Sequence, residues 1–127
     1  MGSRQADLED ILDFLEKAKK LMTSGKYLFV PRRKNMQTLC KYGLTIADIK
    51  SEIADLTAAD YYKGPKEDFD RKNPGDIWEF KRIAGRDTFY VKLKIQKQNG
   101  EDILKCLSFH EDEFSRAKDG EGFDKIL

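Results

Sequence analysis

The sequence predicts an α+β fold, an antiparallel sheet with three C-terminal strands packed on N-terminal helices. Three observations predict it. Residues 7–23, "DLEDILDFLEKAKKLMT", carry apolar side chains every three to four positions, the period of a helix with one buried face. Beyond residue 76 the period drops to two, in "IWEFKRI" (77–83), "DTFYVKLKIQ" (87–96) and "DILKCLSFH" (102–110). The segments between these runs, "AGRD" and "QNGE", have hairpin-turn chemistry. The chain of 127 residues fits one domain with a real hydrophobic core. Residues 1–6 and about 115–127 read as tails.

The elements follow in order. In the first helix Leu8, Ile11, Leu12, Leu15 and Ala18 or Lys19 form the stripe that faces one side. Acidic residues crowd its first turns and lysines its last, as the helix dipole favours. "YLFV" (27–30) is a short strand stopped by Pro31, and "PRRKN" is a basic loop. A short helix, a turn at Gly43 and a second helix follow, with Thr45 as N-cap and Asp48 three residues on. This pair also permits a helix-turn-helix over residues 36–53, but its second helix is poor in side chains that read bases. Thr57 caps one more turn before Tyr61. Residues 64–76, "GPKEDFDRKNPGD", read as a loop because of their two prolines, two glycines and seven charges.

Composition narrows the function classes. The chain is 37% charged, and no apolar run reaches the length of a membrane span. No apolar stretch of the signal-peptide kind opens it, so the cytoplasm is the expected compartment. Cys40 and Cys106 stand far apart, and with one histidine they make no zinc set; both are expected to be small buried residues. No metal or other cofactor is expected. The net charge of +1 conceals segregation: residues 26–50 carry six basic and one acidic residue, while 111–127 are net −3. The basic middle suits a phosphate backbone.

Alternation assigns side chains to faces. Phe89, Val91, Leu93 and Ile95 point to the core, as do Trp78 and Phe80. Glu79, Lys81, Tyr90, Lys92 and Lys94 then share the opposite face. A two-residue turn at Gly85–Arg86 pairs Lys81 with Tyr90 and Glu79 with Lys92. His110, the one histidine, depends on the last hairpin. A loop of Asn99–Gly100 alone sets it opposite Phe89, facing the core; an odd loop sets it opposite Tyr90. The odd loop is the expected one, because Leu107 and Phe109 are better core residues than Ser108 and His110.

A carboxylate, a phenol, lysines and an imidazole on one polar face suit metal-free RNA cleavage. That reaction needs a base for the ribose 2′-OH, cations for the phosphate and an acid for the departing 5′-oxygen. Glu79 or Tyr90 is the candidate base, and His110 the candidate acid. Lys63 and Lys92 are candidates to hold the phosphate, with Lys81, Arg32 and Arg33 as further RNA contacts. Tyr61 and Tyr62 are candidates to stack on bases. The alternative from pattern alone is a solvated sheet face ending in a histidine.

The segments "ADYYKGPKEDF", "DIWEFKRIAGRDTFYVKLKIQ" and "ILKCLSFHEDE" resemble the MqsR family of bacterial toxins over roughly residues 8–114. The resemblance implies a RelE-like fold, messenger-RNA endonuclease activity and a cognate antitoxin, with the ribosome as a further candidate partner. It places the family's functional positions on Lys63, Glu79, Tyr90 and His110. In the founding member glutamine stands at the position of Glu79 and lysine at that of His110. Related RelE-fold toxins use a glutamate with a histidine. The competing reading is a non-catalytic RelE-like module that binds a protein partner or nucleic acid.

Overall fold

The computed structural model describes residues 5–70 and 72–112. Helix α1 (Leu8–Thr23) leads to strand β1 (Tyr27–Phe29), then helices α2 (Arg33–Tyr42) and α3 (Ile46–Ala54). A single 3-10 turn, Ala58–Asp60, precedes β2 (Tyr61–Glu67), β3 (Asp76–Ala84), β4 (Asp87–Gln98) and β5 (Glu101–Glu111). The five strands form one sheet in the order β1-β5-β4-β3-β2. All neighbours are antiparallel except β1, which lies parallel to β5 through Tyr27↔Leu104 and Phe29↔Cys106. The fold is therefore α+β as expected, with a mixed sheet.

Helices α1 and α3 and the 3-10 turn form where local chemistry starts them. Asp7 caps α1 by accepting the Asp10 N–H at 2.9 Å. Thr45 and Asp48 make a reciprocal capping box on α3, and Thr57 with Asp60 repeats it on the 3-10 turn. The buried stripe of α1 is Ile11, Phe14, Leu15, Ala18 and Met22. Leu8 and Leu12, expected on that stripe, are 62% and 50% exposed. The helix is rotated so that the larger Phe14 stacks on Trp78, ring centroids 4.6 Å apart. Helix α2 starts at Arg33, inside the stretch expected to be a basic loop.

The core lies between the helices and one sheet face. Ile49, Ile53 and Leu56 meet Phe80, Val91, Leu93, Leu104, Cys106 and Phe109, all almost fully buried. Cys40, expected to be buried, is exposed on α2. Lys19 ties α1 to the end of α3 by donating to the Leu56 carbonyl at 2.6 Å.

The segment read as a loop over 64–76 begins as strand, since β2 reaches Glu67. Its proline and glycine fit because β2 is the sheet's edge. Pro65 lacks an N–H, which only an edge strand tolerates. At Gly64 the backbone has φ +119°, and a Cβ there would stand 2.7 Å from the Ile77 carbonyl oxygen. Register shifts on either side of Lys63 make the strand irregular. The Gln5 backbone bridges to Gly64, and the Ala6 N–H donates to the Tyr61 hydroxyl, fastening the start of the described chain to the same edge.

The last hairpin corrects one expectation. Its loop is the even one: Gln98 pairs with Glu101 around Asn99 and Gly100, both at positive φ. Yet Tyr90 pairs with His110. The parity changes within the strand, where Leu93 faces Cys106 but Lys92 faces Ser108. Leu107 is the extra residue of a β-bulge. Leu104, Cys106 and Phe109 therefore reach the core, whereas Leu107, expected there, is buried outside the main core cluster.

Candidate active site

Two rows of side chains cross the polar sheet face. The first runs Lys63↔Glu79↔Lys92↔Ser108, and the second runs Lys81↔Tyr90↔His110. Residues two apart on a strand are separated by about 7 Å, and adjacent strands by about 4.8 Å, so the rows share one small patch. A cleft of about 240 Å³ opens there, lined by Lys34, Tyr62, Lys63, Glu79, Lys81, Tyr90, His110, Glu111 and Asp112.

At its centre the Tyr90 hydroxyl donates to Glu79 Oε1 at 2.7 Å. Glu79 is only 3% exposed, so the phenol is a principal partner of a carboxylate shut off from bulk water. Burial, reinforced by the hydrogen bond to Glu79 and its charge, holds the Tyr90 pKa far above the ordinary phenol range. Tyr90 is therefore a proton donor at neutral pH. The His110 ring lies 5.3 Å from the Tyr90 ring, centroid to centroid. His110 Nδ1 sits 3.0 Å from the Glu111 carbonyl oxygen. A carbonyl only accepts, so Nδ1 carries the proton and Nε2 is the nitrogen left for chemistry.

The cations are placed unequally. Lys81 reaches 4.1 Å from the Tyr62 ring centroid and Lys63 reaches 5.2 Å. Lys81 also pairs with the buried Asp112 carboxylate at 3.0 Å. Lys92 stands 5.8 Å over the Tyr90 ring but does not line the cleft. Burial lowers its pKa; Glu79 opposes that shift, while the charges of Arg32 and Lys66 push the same way as burial. Arg32, at the N-cap of α2, lies close enough to act on the charge of Lys92 but does not line the cleft. Arg33 does not reach it, and instead faces a shallow surface with Met36, Gln37, Cys40 and Lys41.

Tyr62 remains 41% exposed with two ammonium groups at its ring. Tyr61 is not free to stack on a base. It packs edge-on against Trp78 and Phe80, and its hydroxyl donates to the Gly64 carbonyl.

Lys34, Glu111 and Asp112 are cleft residues that motif reasoning does not select. Strand alternation continued past His110 puts Asp112 on the same face, so that one was open to inference. Lys34 depends on the starting point of α2, which the local sequence does not mark, because Arg32 caps with no side-chain hydrogen bond. Among the described residues no group of three or more His, Cys, Asp or Glu is placed to hold a metal ion. No described helix is long and apolar enough to cross a membrane.

The helices on one face, the mixed sheet and the polar opposite face make a RelE-like architecture. The chain belongs to the family described as motility quorum-sensing regulator, toxin of MqsA, whose family model matches residues 13–111. It is a toxin module of that family. No curated protein and no solved structure matches it.

Proposed function

We propose that this chain is a messenger-RNA endoribonuclease toxin held in check by an antitoxin protein. The observation that carries this reading is the cleft itself. It gathers a buried carboxylate, a protonated phenol, an imidazole and three lysines, Lys34, Lys63 and Lys81, around one small cleft. In the proposed reaction Glu79 takes the proton of the ribose 2′-OH. The 2′-oxygen attacks the adjacent phosphorus, and the P–O5′ bond breaks. His110, protonated at Nε2 as well as Nδ1, gives its Nε2 proton to the leaving 5′-oxygen. The products are a 2′,3′-cyclic phosphate and a 5′-hydroxyl. Tyr90 donates to Glu79 in the free protein, and on substrate binding it donates to a non-bridging phosphate oxygen. Lys63 and Lys81 balance the charge that builds on the phosphate.

The raised Tyr90 pKa supports this division of labour, because a phenol that stays protonated serves as a donor and leaves the base role to Glu79. The test is expression of the parent and of His110→Ala in a bacterial host, with messenger RNA mapped for cleavage. The parent should arrest growth and generate new 5′-hydroxyl ends; the variant should do neither. Intact RNA in the presence of folded parent protein, with and without ribosomes, rules the reading out. Relief of the parent's arrest by a small protein encoded beside it supports the antitoxin half.

A further inference from the structure

We propose that Asn35, on α2, is a positioning residue that holds His110 on the catalytic face by bonding the β-bulge of β5. This rests on the reading of His110 as the proton donor above. The tight turn at Asn99–Gly100 starts β4 and β5 in a register that lasts to Leu93↔Cys106. Continued without interruption, that register would place Phe109 opposite Tyr90 and His110 opposite Phe89. The histidine would then point into the core. One inserted residue, Leu107, reverses this and yields Tyr90↔His110.

The bulge occurs where β1 stops. Strand β1 covers the outer edge of β5 only as far as Cys106, whose carbonyl takes the Val30 N–H at 3.0 Å. Beyond that point the side-chain amide of Asn35 takes over. Its Nδ2 donates to the Leu107 carbonyl at 3.0 Å and to the Val30 carbonyl at 2.8 Å. Its Oδ1 accepts the Phe109 N–H at 2.9 Å. Asn35 is 1% exposed. One amide therefore uses both its donor and its acceptor on the backbone either side of Ser108, and joins that backbone to the end of β1. Only asparagine has this reach and this pair of functions: Asp lacks the donor, Ala lacks both, and Gln adds a methylene in a filled site.

The test compares full-length parent, Asn35→Ala, Asn35→Asp and Thr38→Ala. Thr38 is a buried neighbour on α2 whose hydroxyl bonds the Lys34 carbonyl and which shares a small cleft with His110, so its loss perturbs the helix beside the histidine while leaving the hydrogen bonds of the bulge in place. Two readouts are taken: the NMR cross-peak between the His110 and Tyr90 rings, and steady-state RNA cleavage split into kcat and KM. Both Asn35 variants should lose the cross-peak. They should lower kcat by about a hundredfold, the usual result of a reacting group displaced by an ångström or so, while KM stays nearly constant. Thr38→Ala should keep both.

A folded Asn35→Ala protein with the parental cross-peak and kcat overturns the proposal, as do equal losses in Thr38→Ala. If neither Asn35 variant folds, hydrogen exchange on the parent decides. The Phe109 amide must then exchange as slowly as the core amides, and fast exchange there sinks the idea. A parent that cleaves no RNA defeats the nuclease reading alone, and the cross-peak still judges Asn35.

Discussion

Tyr90→Phe removes one oxygen from the site and leaves the ring in place. The lost bond is a 2.7 Å O–H···O contact to a carboxylate that is 3% exposed. A hydrogen bond to a charged group contributes about 1.5–3 kcal/mol, because the buried partner otherwise loses its compensation for leaving water. Taking about 2 kcal/mol, and an unfolding entropy near 2.1 cal/mol/K per residue, a chain of 127 residues should melt about 7 °C lower. The ring contact with His110, at 5.3 Å, needs no hydroxyl and should survive. Activity should fall further than stability suggests. A donor to a phosphate oxygen in the transition state is worth about 10²–10³ in kcat. The assay is a thermal melt by circular dichroism, with single-turnover cleavage measured well below the new Tm. A Tm within about 1 °C of the parent shows that Tyr90 does not support Glu79 in solution. A lowered Tm with parental cleavage leaves the hydrogen bond standing and removes Tyr90 from the reaction.

Three further outcomes are expected. Thiol titration of the native chain should find one fast cysteine, the exposed Cys40; Cys106, whose pKa burial pushes up to about 12, should react only after denaturation. The loop after β2 should loosen in acid. Asp68 is raised by burial but brought below the ordinary aspartate range by Lys94, with which it pairs at 2.5 Å, and by the Asp70 N–H. Its folded pKa is thus below its unfolded one. The stabilisation is complete above the ordinary aspartate pKa of about 3.9 and is lost as pH falls through the lowered value, which exchange of the Asp68 and Asn73 amides should follow. Finally, Lys63→Ala should cut cleavage at least about tenfold, whereas Arg33→Ala should change it less than about twofold near 0.15 M salt, since Arg33 faces away from the cleft. Equal losses at the two positions would mean that diffuse charge, not the cleft, binds the RNA.

The parts of the fold that local chemistry decides were legible in sequence. Thr45 and Thr57 cap the elements that their spacing announces, and the β3–β4 register follows from a two-residue turn. Where tertiary context decides, the pattern misleads. The apolar stripe of α1 has several possible centres, and the fit of Phe14 onto Trp78 selects one that leaves Leu8 and Leu12 outside. Residues 64–67 carry loop composition because an edge strand must tolerate proline and a close backbone approach, and edge position is a property of the whole sheet. The parallel pairing of β1 with β5 joins segments more than seventy residues apart, beyond any local signal.

The site shows the same division at one residue. Leu104 and Cys106 keep one phase of the alternation and Phe109 keeps the other, so β5 slips within "LKCLSF". The location of the slip is not visible in sequence, because an odd loop and a bulge give the same parity beyond it. They differ in what they demand of the rest of the chain. An odd loop closes on its own residues, near Gly100. A bulge in mid-strand must satisfy displaced backbone groups on its outer side, where β1 has already ended, and that needs a partner from elsewhere. Asn35 is that partner, from an α2 turn whose sequence, "RKNMQ", resembles any polar helix start. The side of the sheet on which the only histidine lies is thus set jointly by a strand and by one buried amide 75 residues before it.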